Sequence, residues 1–157
     1  MVLVAAYEAD ADSAELYDRT DTLVYACHPL TTYGTPWAAR HLDRIAELLP
    51  DAQVVDPEHR GWGTSAEWRE DWLTLLARLS AVVVFEAPDR SVGAGCLGEL
   101  ADALAFGLPV AILDPGSDPE RGLWELAGFE LLADIERTPA RAARLRYGVP
   151  RPSLFAR

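Results

Sequence analysis

Hydrophobic and polar positions along this chain fall into two kinds of block, and the blocks set its expected elements. Ala81 to Phe85 (AVVVF) and Val110 to Leu113 (VAIL) are apolar without a break. Short runs rich in β-branched residues are expected of strands covered on both faces. Thr22 to Cys27 (TLVYAC) is a third strand, Gln53 to Val55 a short fourth, and Phe129 to Leu132 a candidate fifth. Elsewhere the apolar period is helical. Ala38, Leu42, Ile45 and Leu49 mark one helix, with Thr35 as N-cap, Pro36 at its first position and Pro50 as its stop. Thr64 and Glu67 form a capping box ahead of Trp68, Trp72, Leu75, Leu76 and Leu79. Leu97, Leu100, Ala101 and Leu104 form a third stripe, closed by Gly107 and Pro109. Asp118-Pro119 is expected to open a short helix ending near Gly128, and Thr138-Pro139 a last one stopped by Gly148. Val2 to Ala6 reads as a short strand and Ala14 to Tyr17 as one helical turn.

Alternating strands and helices predict an α/β fold: a Rossmann-like doubly wound parallel sheet of about four to five strands flanked by helices. At 157 residues one domain is expected over 1–157, with an acidic N-terminal extension (1–21) and an arginine-rich C-terminal segment (137–157). Half the residues are apolar and a quarter charged, the balance of a soluble globular protein. The formal net charge of −11 argues against polymeric nucleic acid as a partner. The charge is uneven: residues 137–157 carry six arginines and no acid, and all 25 acids precede them. No run approaches ~18 consecutive apolar residues, so no membrane partner is expected. The N-terminus lacks the basic-then-apolar pattern of a signal peptide. Cys27 and Cys96 fit no zinc spacing and read as reduced thiols, which predicts a cytoplasmic protein with no metal.

In a parallel sheet the candidate chemistry gathers at the strands' C-terminal ends. Those points are Tyr25 to Thr32, Asp56 to Gly63, Ala87 to Glu99 and Asp114 to Asp118. Glu99 is expected in the first turn of its helix, where the macrodipole favours a carboxylate. The same position suits a glutamate that merely helps the helix start. Tyr25, inside a strand, reads more readily as core than as site. His28, at a loop start before Pro29, reads more readily as a local structural residue. Trp62 is either a stacking surface or a lid over the core. Gly93, Gly95 and Gly98 imitate the dinucleotide fingerprint, but after the third confident strand and without the ribose-binding acid. Glu99 and Asp102 lie three apart on one helix, so they do not face each other across a gap as a two-carboxylate glycosidase needs.

Residues 23–113 resemble the nucleoside 2-deoxyribosyltransferase family and its nucleotide N-glycosidase relatives. Tyr25-Ala26-Cys27-His28-Pro29 resembles the family's Tyr-x-x-Gly-Pro, with His28 in place of glycine. Glu99, Ala103 and Gly107-Leu108-Pro109-Val110 are in register with its nucleophilic glutamate, following alanine and Gly-x-Pro-Val. Asp71-Trp72 is the nearest match to its Asp-Leu, about a residue out of register, and the loop from Ser91 to Glu99 is two residues longer than the family's. The resemblance implies an N-glycosidase or deoxyribosyltransferase acting on a small nucleoside or nucleotide. Glu99 would be the nucleophile, Tyr25 would orient it, and Asp71 or Asp89 would hold sugar hydroxyls or protonate the leaving base. His28, Pro29, Ser91, Gly93 and Gly95 would line the substrate beside Asp89. The resemblance implies no cofactor or metal, and a homodimer or higher oligomer whose neighbouring chains complete each site. Two other readings stay open: a non-catalytic nucleotide-binding or regulatory protein whose pocket His28 plugs, and an NAD-cleaving enzyme.

Overall fold

The computed structural model describes residues 22–115, 121–131 and 143–151. The expected strand at Val2 to Ala6 and turn at Ala14 to Tyr17 lie outside them, as do the expected helix starts at Asp118 and Thr138. The chain runs β1 (Thr22–Cys27), α1 (Pro36–Leu48), β2 (Ala52–Val55), α2 (Ser65–Leu76), β3 (Ala81–Val84), α3 (Ala94–Ala105), β4 (Val110–Leu113), β5 (Leu123–Leu131) and β6 (Ala143–Arg151). Short 3-10 turns at Leu30–Thr32 and Pro57–Arg60 follow β1 and β2.

One six-stranded sheet has the order β2-β1-β3-β4-β5-β6. The first four strands pair in parallel, and β5 and β6 are antiparallel additions. This corrects the expected all-parallel sheet of about four to five strands: the architecture is α/β with a mixed six-stranded sheet flanked by helices. Within the described residues, the end of the helix expected up to Gly128 lies in strand β5 and the end of the helix expected up to Gly148 lies in strand β6, while the candidate strand from Phe129 coincides with the end of β5. The physical reason lies in the β5–β6 register, which shifts between Trp124 and Leu126 and again between Leu126 and Gly128. An extra residue in a ladder breaks the period of two. The buried residues Leu123 and Leu126 then fall three apart and imitate a helical stripe.

Period-two alternation holds in the parallel strands and divides the core. Tyr25, Cys27, Val82, Val84, Val110 and Ile112 pack on one face with Trp72, Leu75 and Leu76 of α2 and Cys96, Leu100 and Ala103 of α3. Val24, Ala26, Val83, Phe85, Ala111 and Leu113 pack on the other with Ala38 and Ile45 of α1. The largest fully buried side chain, Trp72, meets Tyr25 with ring centroids 4.9 Å apart. Truncating such a residue to alanine costs about 3–5 kcal/mol.

The helix starts form as their sequences direct. Thr35 Oγ1 accepts the Ala38 N–H at 3.2 Å, with Pro36 next in line. Thr64 and Glu67 close a full capping box, and Glu67 also takes the Gly63 N–H at 2.8 Å. Gly107, at φ 82°, supplies the left-handed residue that ends α3. The inward stripe of α3 differs from expectation. Cys96, Glu99, Leu100 and Ala103 are buried, while Ala101 and Leu104 face out. Among the described residues no helix is long and apolar enough to cross a membrane.

Three arginines of the C-terminal segment, Arg144, Arg146 and Arg151, lie on β6. Arg146 pairs with Glu130 at 3.0 Å and Arg151 with Glu125 at 2.9 Å, both on the neighbouring β5. Two of the three charges are thus matched within the chain.

Candidate functional site

The strand order reverses between β1 and β3, because β1 leads to β2 on one side and β2 returns to β3 on the other. Open α/β sheets hold ligands beyond the strand ends at such a reversal. A cavity of about 670 Å³ lies there. His28 and Tyr33 wall it from the loop after β1, Glu58 and Trp62 from the loop after β2, Trp68 from α2, and Cys96 and Glu99 from α3.

Glu99 is the cavity's most unusual group. It is only 6% exposed. Its Oε1 accepts the Trp68 indole N–H at 3.1 Å, while Oε2 is buried without a hydrogen bond of standard geometry. Tyr25 lies beneath it, fully buried, its hydroxyl close enough to Glu99 to interact electrostatically though likewise without a bond of standard geometry. Burial pushes the Glu99 carboxyl up to about 7, against the opposing pull of Tyr25, Trp68 and the Cys27 thiol. Burial, and then the charge of Glu99, in turn hold the Tyr25 hydroxyl well above its ordinary range. A first-turn position was expected to keep Glu99 ionised. The structure differs because α3 begins at Ala94, which takes the end of the lengthened loop into the helix and places Glu99 in the second turn. The helix-end field falls off within the first turn, and desolvation outweighs it.

His28 answers to different partners. Its Nδ1 lies 2.7 Å from Thr32 Oγ1 and its Nε2 2.9 Å from Asp56 Oδ1. Its ring stacks on Phe85 at 4.7 Å. Both nitrogens are engaged, so the side chain is held against the wall and the cavity stays open beside it. Burial pushes the Asp56 carboxyl up, but hydrogen bonds from His28 and the Glu58 N–H more than offset this and hold it below its usual range.

The other expected site residues separate into those near the cavity and those away from it. Gly95 lines it and Pro29 is buried beside His28. Asp71 stands behind the wall, where it takes the Trp62 indole N–H at 2.6 Å and a two-pronged contact from Arg60. It therefore positions a wall residue. Asp89 is exposed and closes a tight turn on the Ser91 N–H and hydroxyl, and neither residue is among those lining the cavity. Gly93 is the N-cap of α3 at φ −81°, a conformation open to any residue. An added Cβ at Gly95 meets nothing within 4 Å, so no neighbouring part of the described chain requires glycine there. Tyr33, Glu58 and Trp68 are cavity residues that the sequence reading did not assign. Trp68 was placed on a helical stripe, and its reach from one helix to a carboxylate on the next has no local signal. Among the described residues no cluster of three or more His, Cys, Asp or Glu side chains could hold a metal ion.

Comparison with protein-family models, curated proteins and solved structures finds no significant match.

Proposed function

We propose that the protein cleaves the N-glycosidic bond of a small nucleoside, as a hydrolase or a pentosyl transferase, with Glu99 as nucleophile. The observation that carries this reading is a buried carboxyl on the wall of a ligand-sized cavity, with one oxygen fixed by Trp68 and the other unbonded. A perturbed carboxyl in a cleft is a candidate reacting group. The Glu99 carboxylate would attack the anomeric carbon, and the bond's electron pair would leave with the base, which takes up a proton from solvent. The resulting glycosyl ester is then displaced by water or by a second base. A carboxylate at that centre acts by charge as well as by bonding.

The lining also speaks to the substrate. Tyr33, Trp62 and Trp68 offer aromatic surface to a base, and Thr64 and Ser65 offer hydroxyls to a sugar. Among the described lining residues none is arginine, while Glu58 and Glu99 are acidic. A phosphate placed there meets like charge and no guanidinium. This favours an unphosphorylated nucleoside over a nucleotide, and disfavours the NAD-cleaving alternative, since NAD carries a pyrophosphate. The test is a screen of nucleosides, nucleoside monophosphates and NAD for free-base release, run beside Glu99→Gln. Release from nucleosides that disappears in the variant is expected. Equal release from monophosphates would overturn the substrate class, and undiminished release by Glu99→Gln would overturn the nucleophile.

A further inference from the structure

The wall of the cavity at Glu99 is aromatic and acidic. Among its described residues none is arginine, and the chain has no lysine. Each of its two acids is tied by an uncharged donor. Glu58 Oε2 accepts the Gly34 N–H at 3.1 Å, and Glu99 Oε1 the Trp68 indole N–H at 3.1 Å. Such donors orient a carboxylate without cancelling its charge. Arg60 and Arg69, each next in sequence to a wall residue, are taken up by Asp71 and Asp102, and His28 is paired with Asp56. The two indoles on the wall are fixed, Trp62 by Asp71 at 2.6 Å and Trp68 by Glu99. Aromatic surface beside acidic groups, in a chain of net charge −11, suits a cation.

The same wall is poorly furnished with proton donors. A neutral purine or pyrimidine leaves as an anion unless it is protonated as the C–N bond breaks. Asp71 and Asp89, the acids expected for that task, are engaged behind the wall and within a turn. Both ring nitrogens of His28 are occupied by Thr32 and Asp56. Burial holds the Tyr33 hydroxyl well above its ordinary range, which makes it a weak acid. A base that already carries positive charge needs none of these groups, because it leaves neutral.

We propose that the substrate is a nucleoside with a cationic, quaternised base, of the pyridinium or N-alkylpurinium class. The inference rests on the N-glycosidase reading and names its substrate class. The Glu99 carboxylate bonds to the anomeric carbon while the C–N electron pair returns to the ring. A negative carboxylate and a positive base thus become a neutral ester and a neutral base, with no proton moved. Hydrolysis of the ester then takes up water and returns the free sugar, the carboxylate and one proton to solvent.

Binding and turnover are tested separately. 1-Methylnicotinamide and nicotinamide differ by one methyl group and one positive charge, and neither has a glycosidic bond. They are titrated into the folded chain and followed by the tryptophan indole N–H resonances, assigned by single Trp→Phe substitutions. The cation is expected to shift Trp62 and Trp68 saturably and to bind about tenfold more tightly than nicotinamide. Glu58→Gln should narrow that gap to about threefold and leave nicotinamide affinity unchanged. Base release is then measured from nicotinamide riboside, adenosine, guanosine and uridine, each kcat/KM being divided by that nucleoside's own uncatalysed rate constant. Nicotinamide riboside is expected to lead by about tenfold or more, and its cleavage to vanish in Glu99→Gln. Equal normalised values, or nicotinamide binding as tightly as its methylated cation, would overturn the cationic class and leave the N-glycosidase reading standing. A gap unchanged in Glu58→Gln would overturn the acidic wall as its cause. Preferential binding of the cation with no release from any of the nucleosides would instead overturn the N-glycosidase reading.

Discussion

Two carboxyls near the large cavity are treated in opposite ways. At the His28 corner, Asp56 meets an imidazole at 2.9 Å and the Glu58 N–H at 3.1 Å, and its pKa falls. At the other corner, Glu99 meets one indole N–H at 3.1 Å, and its pKa rises to about 7 against the pull of that donor, the Tyr25 hydroxyl and the Cys27 thiol. Glu99 is buried and Asp56 half-buried, so desolvation outweighs the donors at Glu99 and the donors outweigh desolvation at Asp56. A carboxyl with satisfied oxygens is a structural joint. One that is desolvated and half-satisfied is poised to react, and environments that push two acids apart are how acid and base roles are assigned in known sites.

The sharpest way to break this contrast is Glu99→Gln. It should lower base release by about 10³-fold or more, because the nucleophile is gone while its shape remains. Stability should move the other way. Between pH 4.5 and about 7 the folded protein keeps a proton on Glu99 that the unfolded chain has released. Stability therefore falls as pH rises through that window and stays lower above it. Glu99→Gln should remove the fall, so at pH 8 the variant should be more stable than the parent, by about 3 kcal/mol at most. Equal melting temperatures of parent and variant at both pH 5 and pH 8 would count against the raised pKa.

Asp56→Ala makes the opposite case. Its lowered pKa means that its contribution is present above the unfolded carboxylate value of 3.8 and is lost as pH falls through the folded value. The variant should lose about 1–3 kcal/mol at pH 7, since His28 and the Glu58 N–H lose their acceptor. In chemical denaturation the deficit should shrink below about pH 4. A deficit independent of pH would mean that packing, and not the charge, holds this corner.

Trp68→Phe keeps the ring and removes the indole donor from Glu99 Oε1. Without it the carboxylate is less stabilised, so the pH at which base release reaches half its maximum should rise by about one unit. A merely structural Trp68 would change the rate at every pH alike. The smallest effect is expected from Asp71→Asn, which loosens Arg60 and Trp62 behind the wall. KM should rise by about threefold to tenfold with kcat nearly unchanged. A loss of kcat larger than that in KM would return Asp71 to the reacting groups.

The parallel half of the sheet was legible in the sequence because each of its elements announces itself locally. AVVVF and VAIL are strands by composition, and Thr35-Pro36 and the Thr64–Glu67 box fix two helix starts to the residue. The β5–β6 hairpin was legible only at its candidate strand from Phe129, because bulges erased its period of two and because Arg146 and Arg151 find their acidic partners only across the ladder. The site divides similarly. Glu99, Tyr25 and His28 were named from motif positions, and the structure brings them together. Whether Glu99 sits in the first or second turn depended on where α3 begins, and the glycines of the loop give no cap signal to fix that. Asp71 was named for chemistry, but it bonds backward to Arg60 and Trp62, a direction that sequence spacing does not carry.

If Glu99 is a nucleophile whose ionisation is delayed by burial, the pH dependence of base release from a nucleoside shows it most directly. Measured as kcat/KM from pH 5 to 9, release should rise along one limb with an apparent pKa of about 7 and level off above it. A rate already at its plateau at pH 5 would mean an ordinary carboxylate, and release that falls as pH rises through 7 would mean that protonated Glu99 is the active form. The first result would contradict the delayed ionisation, and the second the nucleophile itself.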